Sequence, residues 1–498
     1  MKSYLNKIIV FAVSSILFGI QVEQFSVKTE SLDKVVVSFE NQEVVTNQIE
    51  GYERFSGYSK LTISEGLPEL PKYTLNYGLN PNKKYNVSYN VISSHIVENI
   101  DIYPYQPVKN NDNTIYVESS YLNSSGVFPE NIVIEEIGNL RGNQIMMIDV
   151  IPFSYDMQSR ALTVYDEIEV TIQEVGDSNL SVDASRKFSK PFQNMYETMI
   201  LGSFDSREIE YQEPSILYIC GGGSSNSAID YAYLDYLIDW RKRQGYEVTA
   251  VDLTTIGGSS TSYIANYIED AYYNWENPPE FVTLIGDANG SLFVPTYNVG
   301  GGSGWSGAYG EGDLPYVLIE GDDYLADAFI GRISVRSESE FNVVVNKILG
   351  YERLYSGSDW IESVALVGDP YDSGISTVIT NEYIAQIMED YGVEDINEQY
   401  SGSNTFDDFM VDQLNNGVSY LNYRGFYGFS NFDENDISQL TNGFKLPFLT
   451  TLTCDTGSFS TETSCDSEDL LRAGTQNNPK GAVAVVATAQ PYTHTAFN

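Results

Sequence analysis

The sequence predicts an N-terminal all-β domain, sandwich-like, followed by an α/β region of two parallel-sheet subdomains. Three observations predict it. The 498 residues of the chain exceed one core, because single hydrophobic cores stop growing near roughly 250 to 300 residues. From about Val27 to Val175, apolar and polar residues alternate over short stretches such as KYNVSYNVI, NIVIEEI, NQIMMIDVI and ALTVYDEIEVTI, and period-two runs at this spacing indicate antiparallel strands. After Pro214, continuous apolar runs alternate with helical periodicity, the pattern of buried parallel strands with helices on both faces of the sheet.

The α/β elements follow in order. SILYIC is a buried strand, Ala228 to Gln244 has helical periodicity, and YEVTAVDL, a helix near Ser262 to Trp275 and FVTLIGD complete the first alternation. It restarts after Trp360 with SVALVGD, a helix from about Thr377 to Tyr391, VEDINEQY, a helix near Thr405 to Asn415, VSYLNY, PFLTTLTC, a helix near Ser467 to Ala473 and GAVAVVAT. The domain boundaries expected from these shifts are 25–175 for the β domain, 176–213 for a polar, irregular linker, 214–355 for the first α/β subdomain and 356–498 for the second.

At the start, Lys2 and Lys7 precede the apolar run Ile8 to Ile20, about 13 residues long and too short to span a bilayer. Residues 1–24 therefore read as a secretory signal peptide, with a cut between about Gly19 and Phe25. A secreted or outer-surface location is expected, with no transmembrane domain after signal removal.

Composition excludes several classes. With 42% hydrophobic and 13% aromatic residues the chain is globular, not disordered. A formal charge of −42, spread along the sequence, repels phosphate backbones and rules against nucleic acid as a partner. Loops dense in Asp and Asn suit calcium, which takes carboxylate and carbonyl oxygens. The GGG at Gly221 to Gly223 lacks any GK[ST] or GxGxxG context and reads as a tight turn, so no organic cofactor is expected. Cys220, Cys454 and Cys465 are the three cysteines. They cannot form a disulfide framework, and the odd count leaves at least one thiol unpaired. Two histidines, His95 and His494, lack metal-ligand spacing.

Ligands of a parallel sheet bind beyond the carboxyl ends of its strands. Four glycine-rich junctions stand there: GDANG at Gly286 to Gly290, GDPYDSG at Gly368 to Gly374, NYRGFYGFS at Asn422 to Ser430, and CDTGSF at Cys454 to Phe459. In the last, strand PFLTTLT delivers Cys454 to the strand end. Gly457, like Gly425 in the preceding junction, allows backbone N–H groups to turn toward an oxyanion.

The chain resembles the gingipain family of cysteine peptidases. From about Tyr58 to Ile172 the likeness to the gingipain propeptide rests on GLPELPKY, LRGNQIMMIDVIPFSYD and ALTVYDEIEVTI. From about Ile216 onward the likeness to the catalytic region rests on DWRKRQGYEV, PPEFVTLIGD, DAFIGRISV, KILGYER, KLPFLTTLTCDTGSF and GAVAVVAT.

The resemblance implies a caspase-like fold for the second subdomain, Cys454 as nucleophile and a histidine in a Gly-His-Gly turn. The corresponding turn, Asn422 to Gly428, carries Phe426 or Tyr427 instead. The resemblance also implies an acidic residue orienting the histidine, which maps onto Asp369 or Asp372, and calcium in acidic loops, which points to Asp313, Asp322, Asp323 and Asp327.

The missing imidazole has physical weight. A thiol of pKa about 8.5 is only a few per cent thiolate at neutral pH, and the leaving amine needs a proton. Tyr427 can donate a proton but is a poor base. Arg424 can lower the thiol pKa by charge but cannot shuttle a proton. His494, after strand GAVAVVAT, belongs at the same sheet edge as Cys454 and is expected to replace the missing histidine, so that the catalytic pair is Cys454 and His494, with Tyr427 as the fallback.

The expected function is a cysteine endopeptidase precursor acting on protein or peptide substrates. The alternative is an inactive module binding protein or glycan at the same cleft, and a third reading is a calcium-stabilised envelope protein. Processing is expected in the linker at Arg207, and surface attachment would run through a region outside this chain.

Overall fold

The computed structural model describes residues 25–489, except 32, 42–43, 50, 56–59, 65, 81, 106–120, 122–124, 179–186, 200, 202–209, 224–225, 300–309, 354–358, 403–404 and 461–462. The expected signal peptide, Arg207 and His494 therefore lie outside the described residues. The chain divides into two compact units, Met1–Gln212 with Glu320–Asp327, and Glu213–Ile319 with Ala328–Asn498.

The first unit is all-β at its centre. Its spine is the 17-residue strand Ala161–Asp177, which pairs antiparallel with Lys83–Glu98 on one side and with Lys34–Glu40 and Phe153–Asp156 on the other. A three-stranded antiparallel sheet of Tyr73–Gly78, Asn143–Val150 and Val133–Leu140 supplies the second layer. Val37, Phe39, Ile168 and Val170 from the first sheet are buried together with Leu75, Ile148 and Val150 from the second. The period-two pattern points alternate side chains into this shared core, as a sandwich requires.

Two features depart from the expected boundaries. The linker carries a helix, Lys190–Met199, whose Phe192 and Tyr196 are buried against Leu140 and Ile145. These two residues, one turn apart, are enough to dock a short helix but too few to mark it within a polar composition. Pro191 in its first turn is a position that tolerates proline, since that N–H has no intrahelical partner.

Residues Glu320–Asp327, expected within the first α/β subdomain, belong instead to the first unit. Glu320, Asp323 and Asp327 accept the backbone N–H groups of Gly142, Asn139 and Arg141, each at 2.7 Å.

The second unit contains two parallel sheets. The first runs Glu247–Asp252, Ser215–Cys220, Phe281–Ile285, Phe329–Ile333. The second runs Asp395–Gln399, Ser363–Gly368, Tyr420–Arg424, Phe448–Thr451, Ala484–Ala487. Ser215–Cys220 and Ser363–Gly368 are buried at every residue, which is why they appear as continuous apolar runs. Helices Thr261–Asn274, Ser376–Asp390, Phe406–Asn416 and Asp466–Arg472 stand where helical periodicity predicts them. In the second sheet the order reverses between Ser363–Gly368 and Tyr420–Arg424. Such a switch point opens a crevice beyond the carboxyl ends of the two strands.

Candidate active site

The switch-point crevice is bounded by Asp369, which follows one strand, and by Arg424 and the turn after it, which follow the other. The next strand, Phe448–Thr451, leads three residues on to Cys454. The two loops lie side by side: Tyr427 and Cys454 form a parallel bridge, the Gly428 N–H donates to the Cys454 carbonyl at 2.9 Å, and the Gly425 N–H donates to Thr453 Oγ1 at 3.0 Å. Sheet register thus carries through from the paired strands into the loops, bringing the Tyr427 backbone beside that of Cys454.

Cys454 is 4% exposed and is not in a disulfide. Arg424 is also buried. Burial lowers the pKa of its guanidinium from the ordinary value, and the charge of Cys454 acts in the opposite direction.

The other two thiols are raised by burial, with carboxylates adding to the rise. Cys220 is pushed up to about 12 by burial, with Asp252 and Asp230 adding to the rise. Cys465 is pushed up to about 12 by burial and by Glu468. Nucleophilicity belongs to the thiolate, and Cys454 is the cysteine beside a cation.

Tyr427 is half exposed, and its hydroxyl donates to the Asp455 carboxylate. Asp455 has φ +70°, a left-handed backbone that Asp tolerates better than most residues. This turn reverses the chain just after the nucleophile and aims its carboxylate back at both Tyr427 and Ser458 Oγ. Sequence reasoning missed Asp455. Its available signals were the Asp-x-x-Ser spacing of a local side-chain turn and the known tolerance of Asp for positive φ.

Of the two acids offered by the resemblance, Asp369 is buried, accepts Ser430 Oγ and the Tyr371 N–H, and bonds the Arg424 carbonyl through its own N–H. Asp372 is exposed at φ +28°. The structure therefore places Asp369, not Asp372, against the turn that bears Tyr427, because the chain has already turned outward by Asp372.

Gly425 and Gly457 do not offer their N–H groups to an oxyanion. The Gly425 N–H is held by Thr453 and the Gly457 N–H by the Thr488 carbonyl at 2.9 Å. Both glycines serve close approach instead. A Cβ at Gly425 would meet the Tyr423 hydroxyl at 2.5 Å, and one at Gly457 would meet Ala487 Cβ at 2.9 Å.

The residues named for calcium do not fit one ion. Asp313 is held by both arms of Arg332, at 2.7 and 2.8 Å. Asp323 and Asp327 accept backbone N–H groups with both oxygens, and Asp322 is exposed. Among the described residues no group of three or more His, Cys, Asp and Glu is placed to hold a metal.

The loop that follows Cys454 is held from outside its own sheet. Asn289, in the GDANG junction of the first sheet, donates to the Phe459 and Ser460 carbonyls. Glu311 accepts the Ser460 N–H at 2.8 Å, and the Arg332 guanidinium lies over the Phe459 ring at 5.2 Å.

The Asp466–Arg472 helix is fixed in the same way. Arg472 donates to Asp287 at 2.8 Å and to Glu468 at 2.6 Å, with all three side chains buried. Lys347, fully buried, donates its ammonium to the carbonyls of Leu471, Leu470 and Ala482 at 2.7, 3.1 and 3.4 Å. That places a cation at the carbonyl end of the helix, where the dipole favours it.

Known proteins resemble this chain over most of its length. Peptidase family C25 matches residues 210–498, and Propeptide_C25 matches residues 25–189. Gingipain R2 of Porphyromonas gingivalis is 25% identical over 454 residues, 86% of this chain and 59% of the relative. Lys-gingipain of the same organism is 23% identical over 399 residues, 75% of this chain and 22% of the relative. The chain thus spans 59% or less of the length of these relatives. The crystal structure of the Arg specific cysteine proteinase gingipain R (RGPB) aligns with a TM-score of 0.48 at 24% identity, over 58% of this chain and 65% of that one.

Proposed function

The chain belongs to peptidase family C25, a family of cysteine peptidases, and we propose from that premise that it is an endopeptidase precursor whose nucleophile is Cys454. The observation that carries the reading is the placement of Cys454 beyond the Phe448–Thr451 strand, where its loop pairs with the Tyr427–Gly428 turn at the switch-point crevice. In the proposed reaction the Cys454 sulfur attacks a peptide carbonyl. The amine leaves with a proton, and water hydrolyses the resulting thioester, regenerating the thiol.

Tyr427 is the described group best set to supply that proton, since its hydroxyl lies in the loop paired with Cys454 and its partner Asp455 fixes its direction. His494 is the second candidate for the acid–base role.

Residues up to about Glu213 act in this reading as a prodomain, with Arg207 as the scissile position, in a secreted or surface-held protein. The family match to a propeptide over residues 25–189 supports the precursor assignment. No helix among the described residues is long and apolar enough to cross a membrane.

A thiol-directed covalent peptide inhibitor followed by peptide mass spectrometry tests the nucleophile. The expected result is a single adduct on Cys454 together with loss of hydrolysis of a mixed peptide library. An unlabelled Cys454 in folded, processed protein that also leaves the library intact would overturn the reading and leave the cleft as a binding surface. N-terminal sequencing of secreted material tests processing: a start just after Arg207 is expected, and a start only near residue 25 rejects it.

A further inference from the structure

We propose that the outer face of the Ser376–Asp390 helix is a docking surface for an amphipathic helix of a partner protein, one whose apolar stripe is flanked by Lys and Arg. The inference does not depend on the reaction assigned to Cys454.

The helix has two apolar faces. Its inner face buries Thr377, Val378, Asn381 and Ala385. Asn381 fixes that face to the sheet by donating to the Val367 carbonyl at 3.0 Å and accepting from Asn422 at 2.8 Å. On the outer face Ile375, Ile379, Tyr383, Ile387 and Tyr391 are 64, 54, 66, 40 and 88% exposed. Ile375 and Tyr391 cap the helix with helical backbone angles, so the five side chains follow at four-residue intervals along a continuous row of about 24 Å. Single exposed apolar side chains are ordinary on a protein surface, whereas a contiguous row of them marks a contact. A row of this spacing is also the ridge that fits the groove of a second helix, crossing at about −50°.

Charge decides what can cover the row. The 70 residues between Arg353 and Arg424 contain 13 Asp and Glu and no Lys, Arg or His. Glu382, Glu389 and Asp390 stand exposed on the helix itself, and Asp372 and Glu394 stand exposed beyond its two ends. A second copy would bring these carboxylates against themselves, and an anionic membrane would repel them. A basic amphipathic helix complements both features. Its apolar stripe supplies the buried anchors, and its cations meet the acidic margin, which fixes orientation and speeds encounter.

The probe is a fluorescein-labelled peptide of about 18 Leu and Lys residues patterned as an amphipathic helix. It is titrated with the full chain at about 0.15 M salt and read by fluorescence anisotropy. Saturable micromolar binding is expected. The paired change Ile379→Ser with Tyr383→Ser, which leaves the charge untouched, should weaken it by at least about tenfold, because central apolar anchors carry most of an interface. Glu382→Lys with Glu389→Lys should weaken it by at least about threefold, while a Leu and Gln peptide of the same pattern binds wild type and this variant alike. All four side chains are exposed, and circular dichroism checks the fold of each variant. If the serine pair fails to fold, the lysine pair decides.

No saturation below about 1 mM overturns the proposal, as do equal affinities of the Leu and Lys peptide for wild type and either folded variant. Sedimentation equilibrium in which wild type self-associates and the serine pair does not assigns the face to a second copy. Flotation with phosphatidylcholine vesicles that the serine pair abolishes assigns it to a membrane. Either result overturns the proposal as well.

Discussion

Two cysteines stand at or just beyond the carboxyl ends of parallel strands in this chain, in different surroundings. Cys220 closes Ser215–Cys220, an inner strand of the first sheet, with Asp252 and Asp230 raising its pKa further above what burial alone gives. Cys454 lies three residues beyond Phe448–Thr451 of the second sheet, beside the buried Arg424. The junctions that follow the strands FVTLIGD and SVALVGD make the same contrast. Each begins Gly-Asp, but Asp287 is spent on an ion pair with Arg472, whereas Asp369 supports the turn carrying Tyr427 through Ser430. A parallel sheet offers equivalent positions at each strand end, and the side chains placed around them distinguish one end from another.

The largest expected effect breaks the comparison between the two thiols. Cys454→Ala should lower hydrolysis of a peptide library by at least about a thousandfold, the scale on which loss of a nucleophile acts. Cys220→Ala should leave turnover within about threefold once fold is confirmed by circular dichroism. Equal losses in the two variants would show that strand position alone does not separate them.

The contrast between Asp287 and Asp369 is sharpened by two further substitutions. Arg472→Met leaves Glu468 buried without this cation and Asp287 with the more distant Arg336 at 3.9 Å, which should cost about 3 kcal/mol in a urea titration. Asp369→Asn keeps the shape of the side chain while removing its charge. It should shift the denaturation midpoint little and lower turnover by about a hundredfold, the low end of lost general acid–base support. A stability loss for Asp369→Asn as large as that for Arg472→Met would make both acids structural.

The smallest effect concerns Lys347, which burial pushes down to about 7. Between about pH 7 and pH 10 the unfolded chain binds a proton on this side chain that the folded chain does not. The contribution of Lys347 to stability therefore rises across that window, and the penalty is fully present below it. Lys347→Met should flatten the rise, read as the difference in urea midpoint between wild type and variant at pH 6.5, 8 and 9. Parallel midpoints at all three values would remove the linkage.

The fold was largely legible because burial writes directly into composition. SILYIC and SVALVGD could be placed from apolar runs alone, and the β sandwich from alternation. The Lys190–Met199 helix was not legible, since among its described residues Phe192 and Tyr196 are the fully buried apolar side chains. At the site, the position of Cys454 just beyond a strand end was legible because the run PFLTTLT leads to it.

What failed depended on partners distant in sequence. Nothing near Gly425 or Gly457 announces that Thr453 and Thr488 take up their N–H groups, and nothing in KILGYER announces that its lysine is fully buried. The Asp455 carboxylate acquires its role only when the Tyr427 loop folds beside it.

The grip on the segment after Cys454 bears on how the protein can be taken apart. Asn289, Glu311, Asp287 and Lys347 all come from the first sheet's half of the unit, yet their bonds fix the loop and helix that follow the thiol. That half contributes no candidate for the chemistry itself, but it acts as the jig in which the reactive half is set. The two halves are therefore not interchangeable modules. A fragment beginning near residue 356 would keep every proposed reactive side chain and lose the clamps that aim them. Any recombination between relatives would need to move Asp287 together with Arg472, and Lys347 together with the carbonyls it holds, as inherited pairs.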